Sequence, residues 1–211
     1  MTPKEEAFAT LAKGIVENLR KREMEGFYFE NSTALCDHLK QMLPENAVIS
    51  WGGSESLRES GVMDLLENGR YKLIDRAEAK TPEEKREIFS RTVMADYYFM
   101  STNAITMDGE LINIDGNGNR IACLVQGPSH VCLIVGRNKV STNIADAIAR
   151  ARNIAAPANV KRLHKQTPCQ QSGRCGDCFS PDCICSHLVI TRRSQHPGRI
   201  QVYLVNEDLG Y

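Results

Sequence analysis

Ala47-Val48-Ile49-Ser50-Trp51-Gly52-Gly53-Ser54 is the stretch that decides the fold. A short apolar run ending in paired glycines and a serine suits a buried parallel strand, a tight turn and the start of a helix. Similar signals lie on both sides. Thr2-Pro3-Lys4-Glu5 reads as an N-cap, a first-turn proline and a capping-box glutamate. Phe8, Leu11, Ile15 and Leu19 then recur at helical spacing to about Arg22. Gly26 breaks that helix before a strand at Phe27-Tyr28-Phe29. Asn31 or Ser32 caps a second helix with Leu35, Leu39, Met42 and Leu43 on one face, and Pro44 closes it.

Residues 71–74 read as a further strand, and Thr81-Pro82-Glu83-Glu84 repeats the capping chemistry for a helix to about Met94. Beyond Asp96 the runs 97–100, 104–107, 111–114, 121–125 and 131–135 are strand-like, with Asp108-Gly109 and Asp115-Gly116 as turns. Thr142 is expected to cap a helix to about Ala155, and Pro157 to begin a shorter one ending near Lys165. Residues 188–191 and 200–205 close the pattern as strands. Together these predict an α/β fold: an open, mostly parallel sheet flanked by helices, with a β-hairpin-rich middle. Residues 1–211 read as one domain, with 167–186 a cysteine-rich loop or small lobe on it.

Lys and Arg number 26 against 26 Asp and Glu, a net charge of zero that argues against general nucleic-acid binding. The balance is uneven, because residues 137–211 hold eleven Lys/Arg and five Asp/Glu. Apart from Lys161, Arg162 and Lys165 these are scattered as on a solvated helix face; an anionic ligand or acidic partner is the competing explanation. Thr-Pro-Lys-Glu-Glu after Met1 lacks the basic and apolar regions of a secretory signal. No apolar run approaches the roughly 18 residues of a membrane span. A cytoplasmic location is therefore expected, where structural disulfides are rare.

Five of the eight cysteines form Cys169-x5-Cys175-x2-Cys178-x4-Cys183-x1-Cys185, among Gly173, Gly176 and Pro181. In a cytosolic chain such a cluster points to metal or redox chemistry. Cys169, Cys175, Cys178 and Cys185 are the expected metal ligands, with Cys183 a substitute for Cys185 and His164 or His187 able to replace a thiolate. An iron–sulfur cluster and structural zinc both fit four thiolates; the spacing follows neither standard pattern, and a reactive thiol pair or unliganded cysteines stay open. Cys36, Cys123 and Cys132 sit in apolar patterns and read as core.

Gly52, Gly53 and Ser54 follow a strand and precede a helix, so their backbone N–H groups are candidates to meet a phosphate or carboxylate. Turn chemistry accounts for Asp108, Asp115 and Asn117, and less well for Asn103, Asn119 and Arg120. Arg120 is the preferred anion ligand because its planar fork matches a carboxylate or phosphate, and Lys139 is a second cation at a strand end. Gly52, Asn103 and Lys139 each follow an apolar strand, so their loops are expected to converge on one pocket at the carboxyl ends of the sheet. No Walker, HExxH, Ser/His/Asp or dinucleotide pattern is present; Gly116-x-Gly118 is expected to lack the helix such a fingerprint needs.

The run Ser101-Thr102-Asn103-Ala104-Ile105-Thr106 through Asp108-Gly109, then Asn113-Ile114-Asp115-Gly116-x-Gly118-Asn119-Arg120, resembles the LUD (lactate-utilisation) family. Gly52-Gly53-Ser54 with Ser56-Leu57, Gly127-Pro128, Gly136-Arg137-Asn138-Lys139, Ala156-Pro157 and Thr167-Pro168-Cys169 add to the resemblance, which spans residues 5–211. It is to a single-domain form with a cysteine-rich C-terminal segment. The resemblance implies a fold of the sugar-phosphate isomerase and CoA-transferase class (NagB/RpiA/CoA-transferase-like). It also implies a link to oxidation of lactate to pyruvate alongside iron–sulfur partner subunits. In related CoA transferases a glutamate is the nucleophile; Glu55 and Glu110 are the candidates here, and no motif chooses between them.

The leading expectation is an accessory or electron-transfer component of lactate or organic-acid oxidation, with a pocket for a small anionic metabolite and a cysteine-bound metal centre. A transferase or isomerase acting on a CoA ester or phosphosugar is the rival. A sensor or interaction module with structural zinc is the third.

Overall fold

Thr2 and Thr81 start helices by the same chemistry. In the computed structural model, which describes residues 2–211, each threonine side chain accepts from the backbone N–H three residues on, and Glu5 or Glu84 reaches back to the threonine N–H. These boxes open α1 (Pro3–Lys21) and α5 (Pro82–Val93), each with its proline in the first turn. Between them run β1 (Glu25–Phe29), α2 (Ser32–Met42) capped by Asn31, and β2 (Val48–Trp51). The helix expected after Gly52-Gly53-Ser54 is two short ones, α3 (Glu55–Glu59) and α4 (Val62–Leu66), parted by Gly61 at φ 73°. β3 (Lys72–Ile74) follows.

After α5 come β4 (Tyr97–Met100), β5 (Ala104–Thr106), β6 (Leu111–Asp115), α6 (Asn119–Val125), β7 (His130–Gly136) and β8 (Val140–Ser141). The chain ends with α7 (Ile144–Arg150), α8 (Ala156–Arg162), α9 (Pro168–Ser172), β9 (His187–Thr191) and β10 (Ile200–Val205).

Six strands in the order β1-β10-β7-β4-β2-β3 make a wholly parallel sheet. β4 shows how it is buried on both faces. Tyr98 and Met100 face a core that includes Ile15 and Leu19 of α1 and Leu124 of α6; Tyr97 and Phe99 face one that includes Leu35 and Leu39 of α2 and Leu66 of α4. Two covered faces explain why the strands read as continuous apolar runs. A second sheet, β8-β5-β6-β9, holds the antiparallel pairs and packs Ala104, Ile112 and Ile114 on Ala147 and Ala151.

Three local expectations change. Residues 121–125 belong to a helix, not a strand, because Gly118 takes φ 81° and turns the chain into α6; a helix therefore does follow Gly116-x-Gly118. Asn143, not Thr142, caps α7 by accepting from Asp146 N–H at 3.0 Å. The two helices expected around Pro157 are one, joined by a π turn over Ala151–Ala155. That wider turn accommodates Pro157, whose nitrogen has no proton to give the helix ladder. Among the described residues no helix is long and apolar enough to cross a membrane.

Candidate functional site

From β2 the chain steps outward to β3 and returns to β4 on the other side of β2. The reversal leaves a crevice at the carboxyl ends of β2 and β4, where open parallel sheets place ligands. A cavity of about 580 Å³ lies there. Its walls are residues 53–56 after β2, residues 101–103 after β4, Lys139 after β7, the β6–α6 turn, one face of α8 and, from the tail, residues 181–184 and Ser186.

Gly53, Ser54, Asn103, Asn119, Arg120 and Lys139 all line this cavity. Gly52 faces an adjoining cavity of about 820 Å³ that shares Gly53, Arg76 and Arg162 and adds the apolar Trp51, Met63, Ile88 and Phe89. Gly52 has a steric reason: a Cβ there would lie 3.0 Å from the Tyr98 hydroxyl and 3.3 Å from Cδ of the clamped Arg120. A Cβ on Gly53 would lie 2.5 Å from Arg76 Nη2, the end of a side chain that can move aside. Glu55 lines the first cavity. Glu110 lies elsewhere: it bonds Arg22, the C-cap residue after α1, and Thr106 of β5.

Arg120 has every N–H engaged by protein. Nη1 donates to Ser101 O (3.0 Å) and Asn113 Oδ1 (2.6 Å), Nη2 to Asn103 Oδ1 (3.2 Å) and Ile114 O (2.8 Å), and Nε pairs with Asp115 at 3.3 Å. Its fork thus holds the β4–β5 link against β6. To a ligand it offers a fixed positive charge rather than free donors.

Lys139 is only 4% exposed and, among the described residues, has no carboxylate within ion-pair distance. Its Nζ donates to Ser56 Oγ at 2.8 Å and to Ser101 Oγ at 3.1 Å. Burial, then the charges of Arg150 and Arg120, lowers its pKa to about 7, with Glu59 opposing weakly. Gly210, at φ 58°, passes so close that a Cβ there would lie 3.5 Å from Nζ.

Arg76, Arg162 and Lys165 complete the cations of the cavity, five against the carboxylates of Glu55, Asp115 and Asp182. Asp115 is taken by Arg120 and by Gly118 N–H, and Asp182 by Lys165 and Gln166 N–H. Glu55 lies 3.6 Å from Arg162 and 3.7 Å from Arg58. Arg76, Ser56 and Ser101 also line the cavity and were not among the expected site residues. Arg76 and Ser101 lie just past a strand's carboxyl end, and Ser56 and Ser101 fall in the runs that carry the family resemblance, which were the signals available.

The cysteine tail corrects an expectation. Among the described residues no group of three or more His, Cys, Asp or Glu side chains could hold a metal ion. The iron–sulfur cluster or zinc expected on Cys169, Cys175, Cys178 and Cys185, with Cys183 in reserve, therefore has no donor set, and His164 and His187 do not supply one. The thiols have other partners. Cys169 is buried against the Thr167 hydroxyl at 3.2 Å, and Cys175 accepts from Arg152 and from Asp177 N–H, both at 3.4 Å. Burial, then repulsion from Cys183, pushes the Cys185 thiol up to about 12. Cys123 and Cys132 are buried, while Cys36 is half-buried.

Fold and cleft together define an α/β protein with a largely parallel sheet, helices on both faces and a cationic crevice at its switch point. The chain belongs to the LUD-domain family, whose model matches residues 12–205, and membership supports a role related to lactate utilisation. Among solved structures it is similar to a DUF162 family protein from Deinococcus radiodurans, at 14% identity and TM-score 0.54, covering 93% of this chain and 97% of that one. A ribose 5-phosphate isomerase from Plasmodium falciparum aligns at 17% identity and TM-score 0.34, over 53% and 52% of the two chains. None of the curated proteins matches the chain in sequence.

Proposed function

We propose that the protein binds a small carboxylate metabolite of the lactate type in the switch-point cleft, as a cytoplasmic accessory component of organic-acid oxidation beside oxidoreductase subunits. The observation that carries this is the unbalanced charge of the cleft. The Arg76 side chain forms no ion pair or hydrogen bond among the described residues, so an anion would find its donors free, and Lys139, two of whose N–H groups go to serines, has no carboxylate partner among those residues. Arg120 adds charge from the wall. Kinship with the sugar-phosphate isomerase and CoA-transferase folds is part of the same proposal.

Thermal unfolding with lactate, pyruvate, ribose 5-phosphate and CoA tests the reading, since a ligand that binds only the folded state raises Tm with its concentration. Lactate or pyruvate is expected to raise Tm in the native protein and less so in Arg76→Gln. No shift with lactate or pyruvate would overturn the reading, whether or not ribose 5-phosphate or CoA raises Tm.

Acyl transfer is a second reading with an observation of its own. Glu55 Oε1 is buried at the cleft wall without a hydrogen bond among the described residues, with Arg162 at 3.6 Å and Arg58 at 3.7 Å, and a carboxylate is one of the groups that serve as covalent nucleophiles. The adjoining apolar cavity has room for the rest of a thioester. Turnover of an acyl-CoA that disappears in Glu55→Gln would support it, and absence of turnover in the native protein would remove it.

A further inference from the structure

The hydrogen bonds around Lys139 have a direction that simple anion binding leaves unused. Ser56 Oγ donates to Leu209 O at 3.1 Å, and Ser101 Oγ donates to Ile134 O at 2.6 Å. With their protons committed to backbone carbonyls, both hydroxyls can only accept from Nζ. Two N–H bonds of the amine are thereby aimed into the protein. The remaining position of the nitrogen, a third N–H when charged and a lone pair when neutral, is left for the cavity that Lys139 lines.

The surroundings favour the neutral form. Arg150 of α7 and Arg120 of α6 are the charged groups that disfavour an ammonium there, and Glu59 of α3 is the acid that favours it. Glu59 itself accepts from Gly210 N–H. A desolvated lysine beside other cations is a recognised way to activate an amine as a nucleophile.

The geometry points to Lys139 as a carbonyl-capturing residue: its Nζ forms an imine with a 2-oxo acid held in the switch-point cleft. This rests on the anion-binding reading and adds a covalent step to it. The nitrogen lone pair forms the C–N bond while the carbonyl π pair moves to oxygen, which takes up a proton. Loss of the nitrogen proton and the hydroxyl as water leaves C=N. No oxidant or reductant takes part. Arg76 and Arg162 in the same cavity are the cations available to the carboxylate.

Borohydride trapping tests the step. The whole protein is incubated with pyruvate or glyoxylate, reduced with sodium borohydride, and read by intact mass and peptide mapping. One secondary-amine adduct is expected, on the peptide carrying Lys139, with a trapping rate that rises through about pH 7 rather than near the pH where surface lysines titrate. Mapping on the native protein locates the adduct even if Lys139→Arg fails to fold. Where that variant folds, it should show no adduct. Pyruvate that raises Tm without a trapped adduct would overturn the imine and leave anion binding standing. Neither effect would overturn both. Adducts spread over surface lysines, unchanged in Lys139→Arg, would also overturn the imine.

Discussion

Lys139 Nζ lies 2.8 Å from Ser56 Oγ, joining residues 83 positions apart across the carboxyl ends of β7 and β2. The contact brings the residues after two strands of one parallel sheet to a single polar point, with Ser101 after β4 as the third corner.

A buried lysine with a depressed pKa gives the fold a definite pH dependence. Its folded value of about 7 lies below the roughly 10.4 of an unfolded lysine. Between those values the unfolded chain binds more protons, so this residue makes stability rise with pH. The cost of burying the charge is complete below about pH 7 and gone above about pH 10. Lys139→Met should therefore gain stability relative to the native protein most at low pH, on the order of a few kcal/mol, with the gap closing as pH rises. Urea unfolding at about pH 6, 7.5 and 9 reads it. Hydrogen bonds lost in the variant add a constant offset and leave the slope alone; parallel curves would mean Lys139 does not titrate in this range.

Arg120 should matter more to stability than any other side chain of the cleft. Arg120→Met removes a fully bonded guanidinium from Asp115, Asn103 and Asn113; Asp115 keeps Gly118 N–H and Asn103 keeps Ile114 N–H, but the buried Asn113 Oδ1 is left with no side-chain donor. A loss of about 3–5 kcal/mol is expected. Arg120→Lys keeps the charge but has three donors, not five, and should recover only part of it. The urea midpoint measures both. A Met variant within about 1 kcal/mol of the native protein would show that the clamp is not structural.

These two residues also show what the sequence made legible. Strand ends, glycine turns and both capping boxes follow from local rules, and so the loops of the cleft were identifiable before the fold was known. The helical state of residues 119–125 was not, because a short apolar run looks alike in a strand and in a buried helix. Here the left-handed Gly118 decides it. Arg120 stands out by its chemistry, yet sequence gives no sign that Asn103, Asn113 and Asp115 absorb its donors. Cysteine spacing likewise says that five thiols are near in sequence. It does not say which way each Sγ points, and Thr167 and Arg152 take two of them.

The tail should behave as a set of thiols. Dialysis against EDTA is expected to leave Tm unchanged, because no metal-holding group exists among the described residues. Cys185, with its thiol pushed up to about 12, should alkylate slowly near neutral pH, since the thiolate is the reactive form. Mass spectrometry of iodoacetamide-treated protein gives the order. A fall in Tm on chelation, or Cys185 modified first, would contradict this arrangement of the tail.

Glu55 and Glu110, alike as carboxylates in sequence, should separate cleanly. Glu110 is tied to Arg22 and Thr106 away from the cleft, so Glu110→Gln should cost about 1–3 kcal/mol of stability and leave anion affinity unchanged. Glu55 sits at the cleft with Arg162 at 3.6 Å, where it competes with any incoming anion for that cation. Glu55→Gln removes the competitor's charge, and lactate or pyruvate should then bind about fivefold more tightly, the equivalent of about 1 kcal/mol for a partly exposed pair. Calorimetric titration of each variant measures the affinities, and unfolding midpoints measure the stabilities. Weaker binding in Glu55→Gln would mean that the carboxylate helps to hold the ligand, as a hydrogen-bond acceptor for a 2-hydroxyl group would.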